Sequence, residues 1–148
     1  MSSKVKNKYD YSDTQIKETS ANTILEILPQ EENRTASTKT VLIKHDYYSS
    51  DSEHGRDLLK AILRALNKPE ICNLVIYLVD SGTLLLDKEN PAFDSFRPLI
   101  AKSEMIIAAD ESICFYNVDP GIDPNVLTQP FDSIAEDIIL ISDLLIIE

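Results

Sequence analysis

Residues 73–79 (NLVIYLV) constrain the fold more than any other segment, because only the first of the seven side chains is strongly polar. A half-exposed strand alternates polar and apolar residues, whereas this run is apolar on both of its faces. Such a strand belongs in the middle of a parallel sheet that helices cover on each side. Asp80, Ser81 and Gly82 follow the run and predict a turn.

Four further short apolar runs are predicted as strands, and amphipathic segments separate most of them. The runs are residues 41–46 (VLIKHD), 105–108 (MIIA), 125–128 (NVLT) and 144–147 (LLII). Strands that alternate with helices through short loops form right-handed βαβ units. We therefore predict a three-layer α/β fold, with a mainly parallel sheet of about five strands and helices on both faces.

Two of the predicted helices have recognisable starts. Asp51 or Ser52 can cap the first, while Asn90 and Pro91 supply a cap and a first helical residue for the second. Pro98 is expected to bend or shorten the second helix, because proline lacks the N–H group. The side chains predicted to face the sheet are Leu58, Leu59, Ile62, Leu63, Leu66, Phe93, Phe96, Leu99, Ile100, Phe131, Ile134, Ile138 and Ile141.

Residues 1–38 differ in composition from the rest of the chain and are predicted to be a polar N-terminal arm and linker. A single α/β domain is predicted at residues 39–148. The arm contains one apolar island, residues 24–28 (ILEIL). Two interpretations of the arm stay open: a loosely ordered tail, or an added edge strand or docking segment.

The charge of the chain excludes two classes of partner. The net charge is -11, and residues 38–148 carry nine Lys and Arg against nineteen Asp and Glu, or -10. Such a surface repels nucleic acid and anionic lipid, so we expect neither nucleic acid nor membrane as a partner. The chain has a polar start and two cysteines without a Cys-x-x-Cys pair. These features predict a reducing, cytoplasmic location.

Several motifs, taken in chain order, resemble one family. They are Gly55 in a polar loop before a leucine-rich helix, VDSG at residues 79–82, ICFY at residues 113–116 and FDSI at residues 131–134. Together they resemble the DsrE-like domain of the YedF family, whose members are associated with sulfur transfer and selenium metabolism. The resemblance covers residues 39–148. It implies a homo-oligomer, a partner protein from sulfur relay or selenium metabolism, and an arm that is the remnant of a TusA-like domain.

The resemblance fails at the cysteines that carry sulfur in the family. The family turn commonly reads Cys-Gly-x-Cys-Leu-x-Phe-Tyr, and alignment on Phe115 and Tyr116 places Ala109 and Ser112 at the two cysteine positions. Cys114 follows the second position by two residues. The resemblance therefore implies a non-catalytic or degenerate relative, with a binding or assembly role in sulfur or selenium handling.

The alternative is a sulfurtransferase that relays a persulfide through Cys114. Reactive cysteines usually lie in electropositive surroundings, whereas Asp110 and Glu111 precede this one. We therefore expect Cys114 to be a packed, inert thiol. Cys72 is expected to be buried, because it enters an apolar strand.

Polar side chains follow each of the first three predicted strands. The carboxyl ends of parallel strands meet at one edge of a sheet, where ligands collect. The residues predicted to form a pocket at this rim are His45, Asp46, Asp80, Ser81, Gly82, Asp110, Glu111, Ser112 and Tyr116.

The rim residues leave a further alternative open. His45 can act as a general base near neutral pH, and carboxylates can hold a hard cation. Neither the carboxylates nor His45 with His54 show a recognised ligand spacing. We therefore expect no metal and no cofactor. A small-molecule or metal-binding module at this rim stays open as a further alternative function.

Overall fold

The computed structural model describes residues 38–148. The predictions for the N-terminal arm fall on residues 1–37 and so lie outside the described residues. The strands of the described part are β1 (Lys39–Ile43), β2 (Leu74–Leu78), β3 (Met105–Ala109), β4 (Val126–Gln129) and β5 (Leu144–Ile147). They form one sheet in the order β4-β3-β2-β1-β5, and all neighbouring strands are parallel.

Helices connect the strands. They are α1 (Glu53–Leu66), a 3-10 helix (Asp80–Leu86), α2 (Phe93–Lys102), α3 (Asp110–Tyr116) and α4 (Phe131–Leu140). The Oγ atom of Ser52 caps α1 by accepting a hydrogen bond from the Gly55 amide at 3.0 Å. Between residues 38 and 148, no helix has the length and apolar character that a membrane span requires.

Helices α1 and α2 cover one face of the sheet. Leu63 of α1 and Phe96 of α2 are fully buried. They belong to one cluster with Val41, Ile76 and Ile106, which the register places beside one another on β1, β2 and β3. Each side chain of this size contributes roughly 1.5 to 3 kcal/mol to stability when it leaves water. This face of the sheet holds most of the core.

Helix α4 covers the opposite face. Ile134 is fully buried there and packs with Leu42, Tyr77 and other side chains of the three central strands. The Tyr77 hydroxyl donates a hydrogen bond to Asp137 Oδ2 of α4 at 3.3 Å. Burial and the neighbouring Asp137 carboxylate raise the pKa of Tyr77 above its ordinary value. Helices on both faces of a five-stranded parallel sheet confirm the predicted α/β class.

The local predictions differ from the structure in several places. The segment after β3, predicted as a turn, is helix α3. Helix α2 begins after Pro91, because Asn90 Oδ1 first accepts the Ala92 amide at 2.8 Å and closes a turn. The helix continues through Pro98 to Lys102. Phe131, predicted to face the sheet, is 41% exposed because it is the first residue of α4.

Candidate functional site at the carboxyl ends of the strands

The chain leaves the carboxyl end of β2 through a tight turn. Asp80 has a φ of 52°, in the left-handed region. Few residues other than glycine adopt this conformation, and such strained residues cluster at functional sites. The turn starts the 3-10 helix and carries Asp80 and Ser81 to the rim, where β1 and β3 also end.

A hydrogen-bonded cluster joins the ends of β1, β2 and β3. His45 Nδ1 lies 3.2 Å from Ser81 Oγ and 3.9 Å from Asp80 Oδ2. The Tyr116 hydroxyl donates to Asp80 Oδ1 at 2.9 Å, and the Asp80 amide donates to Ser112 Oγ at 2.8 Å. These five residues are the rim cluster. The structure thus brings five of the nine predicted pocket residues close together.

The rim cluster does not have the geometry of a Ser-His-Asp relay. In such a relay the serine and the carboxylate bind different nitrogens of the imidazole. Here Ser81 and Asp80 both approach Nδ1 of His45. The arrangement therefore places both partners on the same side of the imidazole ring.

The Tyr116 phenol is held in its neutral form. Burial raises the pKa of Tyr116, and the hydrogen bond to Asp80 and the negative charge of that carboxylate raise it further. A neutral phenol remains a hydrogen-bond donor, which matches its bond to Asp80 Oδ1.

Aromatic stacking orients His45. Its ring lies parallel to Tyr47, with 4.6 Å between ring centroids and 2° between planes. The guanidinium of Arg56, on α1, lies 5.8 Å from the centroid of the Tyr47 ring. Asp51 holds Arg56 through a 2.6 Å ion pair and raises the pKa of the guanidinium. Tyr47, which stacks on the imidazole, and Asp51 both contact Arg56 and so attach the loop after β1 to α1.

Gly82 brings the 3-10 helix against β1. Its amide donates to the Lys44 carbonyl at 3.2 Å. A Cβ atom at this position would lie 2.4 Å from the Ile43 carbonyl oxygen, so only glycine fits without a shift of the backbone. This close approach sets the distance between His45 and Ser81.

Three of the predicted pocket residues lie outside the rim cluster. Asp46 is buried, and its Oδ2 accepts a hydrogen bond from Asn90 Nδ2 at 3.0 Å. Glu111 Oε1 accepts the Phe131 amide at 2.8 Å and so connects α3 to the start of α4. Asp110 is exposed at the first position of α3.

Both cysteines are exposed, which corrects the predictions of a buried Cys72 and a packed Cys114. Cys72 precedes the first residue of β2 and so does not share the burial of that strand. On α3, Ser112 and Tyr116 are four residues apart and both contact Asp80. Cys114 lies halfway between them, about 200° around the helix at 3.6 residues per turn, and therefore points away from the rim cluster.

Two features escaped the sequence prediction. One is the stack of Tyr47 on His45, for which a tyrosine two residues after a histidine is only a weak signal. The other is a cleft of about 730 Å³ between α2 and the loop before β4, which no local pattern indicates. Among residues 38–148, no group of three or more His, Cys, Asp or Glu side chains is placed to hold a metal ion.

Comparison with known proteins shows similarity to solved structures only. No family model and no curated protein matches the chain. The chain is similar to the crystal structure of the ychN protein from E. coli, at 12% identity and a TM-score of 0.49. The match covers 74% of this chain and 99% of that one. The class of fold rests on the strand register described above, and the DsrE-like assignment remains a prediction.

Proposed function

We propose that this protein is a DsrE-like relative in sulfur or selenium handling that binds a ligand or partner at the rim cluster and does not relay sulfur. The observation that carries this proposal is the position of Ser112. The resemblance expects a relay cysteine there, and the serine hydroxyl accepts the Asp80 amide at 2.8 Å inside the rim cluster. The site thus has a hydroxyl oxygen at the position where the resemblance expects a sulfur atom.

The chemistry of the hydroxyl supports a binding role. Sulfur transfer requires a thiolate that attacks the outer sulfur of a persulfide, breaks its S–S bond and releases the donor as a thiolate. A serine hydroxyl stays protonated near neutral pH and forms no persulfide. Imidazole, carboxylate, hydroxyl and phenol groups nevertheless converge at the rim, and they can orient a small polar ligand.

The two exposed cysteines allow an internally controlled test. The full chain is incubated with a low-molecular-weight persulfide, and mass spectrometry follows the gain of about 32 Da, the mass of one sulfur atom, on each thiol. Under the binding proposal, Cys114 gains sulfur within about twofold of the rate at Cys72. A rate at Cys114 that is more than about tenfold higher would contradict it.

A second test uses a variant to examine the position of the missing thiol. Ser112→Cys, in a background with both native cysteines changed to serine, places one thiol in the rim cluster. We expect it to gain sulfur faster than Cys72 does in the native chain. No gain would contradict the equivalence of position 112 to the relay position, and a melting temperature matching that of the background variant controls for folding.

The exposure of Cys114 favours sulfur transfer as a second candidate function. Cys114 would then take sulfur from a protein donor that docks on the outer side of α3. Under this candidate, Cys114→Ser abolishes transfer to an acceptor thiol, whereas Cys72→Ser leaves it unchanged. Equal transfer by both variants would count against it.

An assembly role has its own structural support. On α4, Ile139 is 79% and Leu140 is 83% exposed. Near them in the chain, the edge strand β5 carries the half-exposed Leu145 and Ile146. Exposed apolar side chains of this kind are typical of an interface, and we propose that a second copy of the chain covers them.

Sedimentation velocity tests this homo-oligomer directly. Ile139→Glu should lower the sedimentation coefficient to that of a monomer. Ile122→Glu is the matched control, because Ile122 is fully exposed on the loop before β4. Assembly that survives Ile139→Glu would contradict the proposed interface.

We further propose the cytoplasm as the location, since a thiol at position 114 persists in a reducing compartment.

A further inference from the structure

A second cleft lies beside α2, and none of its lining residues belongs to the rim cluster. Helix α2 packs over the central strands, while Val126 of the edge strand β4 lies next to Ile106 on the same face of the sheet. The space over Val126 is bounded by α2, by the residues that follow the 3-10 helix and by the loop at residues 117–123. Its volume is about 730 Å³, inside the range of roughly 300 to 1,000 Å³ that is typical of binding sites.

The lining of the cleft is apolar at its base. Leu86, Phe93, Ile100 and Val126 contribute side chains there. The loop that forms one wall is held in place, because Asn125 Nδ2 donates to the carbonyl oxygens of Ile100 and Ser103 at the end of α2. These hydrogen bonds attach the end of the loop to the end of α2.

The charged groups of the cleft are mostly acidic. The carboxylates lining it belong to Asp87, Glu89, Asp119 and Asp123, whereas the cations belong to Lys88 and Arg97. The cleft thus carries a formal charge of -2, within a domain whose residues 38–148 carry -10. Its charge and its apolar base complement a ligand that is both apolar and cationic.

The exposed side chain of Ile122 favours an extended ligand over a small molecule. This side chain belongs to the cleft lining and is fully exposed to solvent. A small molecule held at the apolar base would leave Ile122 in water, whereas an extended segment that leaves the cleft would cover it. A second copy of this chain is disfavoured here, because its acidic surface would meet the carboxylates of the cleft. The homo-oligomer proposed above meets instead through the exposed apolar side chains of α4 and β5.

We propose that the cleft docks a short basic segment of a partner protein. One apolar side chain of the segment enters the cleft over Phe93 and Val126. Flanking Lys or Arg side chains face Glu89 and the aspartates, and the segment passes over Ile122. This site is independent of the ligand proposed for the rim cluster.

Two labelled peptides test the proposal on the full chain. The basic probe is fluorescein-Lys-Arg-Leu-Phe-Leu-Arg-Lys, and the acidic probe has glutamate at each basic position. Fluorescence anisotropy is measured at low salt and again at about 0.3 M salt, which screens charges at an exposed site. We expect the basic peptide to bind, the acidic peptide to bind at least about tenfold more weakly, and salt to weaken binding of the basic one.

Matched variants locate the bound peptide. Glu89→Lys and Ile122→Ser change exposed residues of the cleft, so neither threatens the fold. Glu136→Lys on α4 and Phe115→Ser on α3 are the matched controls, because they change exposed residues that lie outside the cleft and outside the proposed homo-oligomer interface. We expect each cleft variant to raise the Kd of the basic peptide by about threefold to tenfold, and each control to leave it within about twofold.

Three outcomes would overturn the proposal. Equal weakening by the cleft and control variants would show attraction to the acidic surface in general. Equal affinity for the acidic peptide would remove the charge argument. Loss of binding in Glu89→Lys but not in Ile122→Ser would assign the cleft to a small cationic molecule that does not reach the loop.

Discussion

Replacement of Gly82 by alanine tests how closely the 3-10 helix must approach β1. Gly82 does not have a positive φ, so alanine meets no backbone strain there. Its Cβ would nevertheless lie 2.4 Å from the Ile43 carbonyl oxygen and 3.1 Å from the carbonyl carbon. Backbone atoms cannot rotate away as a flexible side chain can, so the 3-10 helix or β1 has to move.

The size of the shift follows from these distances. To reach an ordinary separation of 3.4 Å, the 2.4 Å contact has to lengthen by about 1 Å. A displacement of that size would take the 3.2 Å contact between His45 Nδ1 and Ser81 Oγ out of hydrogen-bonding range. Overpacking of this kind costs about 1 to 3 kcal/mol. For a domain of roughly 100 residues, the melting temperature should fall by roughly 5 to 20 °C.

Thermal and urea unfolding of Gly82→Ala measure this loss, and Gly121→Asn is the control. Gly121 has a φ of 83° and open space around the position of a Cβ atom. Asparagine tolerates the left-handed region, so this control should lose no more than about 1 kcal/mol. A Gly82→Ala protein as stable as the native chain would refute the claim that backbone contact fixes the rim cluster.

Three further predictions concern the stability of the domain. Ser52→Ala removes the acceptor for the Gly55 amide at the start of α1 and should cost about 0.5 to 2 kcal/mol in urea unfolding; an unchanged midpoint would exclude this cap. Burial raises the pKa of Tyr77, so the neutral phenol stabilises the fold below its ordinary pKa, and this contribution is lost as the pH rises through the raised value. Tyr77→Phe should therefore flatten the alkaline decline in stability between about pH 9 and 12, and an equally steep decline would contradict the prediction. The hydrogen bond from Lys44 lowers the pKa of Glu148 below 4.5, so its contribution is present above that value and is lost as the pH falls through the lowered one. Lys44→Gln should weaken the acid dependence of unfolding below about pH 5, and an identical acid profile would exclude the coupling.

The fold class could be predicted because its signals are local. The unbroken apolar run that contains β2 requires cover on both faces, and β2 lies at the centre of the sheet. Ser52, one of two predicted caps, caps α1. The predicted start of α2 was wrong because the side chain of Asn90 bonds to Ala92 and also to Asp46. Of these two partners, only Asp46 is distant from Asn90 in the chain.

The members of the candidate site were predictable, but their pairing was not. Parallel strands bring their carboxyl ends to one edge, which is why His45, Asp80 and Ser112 were expected together. The bond from the Asp80 amide to Ser112 depends on α3 being a helix, whereas the sequence predicted a turn. The exposure of Cys114 depends on the same helix, which turns Ser112 toward the rim and Cys114 away from it.

By itself, the sequence determined the alternation of strands and helices, the acidic charge and the absence of cysteine at positions 109 and 112. These follow from residue type and spacing, which act over a few residues. Only the tertiary structure decided which side chains share a hydrogen bond, which thiols reach solvent and where a cleft opens beside α2. Those properties depend on distances between segments far apart in the chain, and such distances are fixed only when the sheet and its helices pack together.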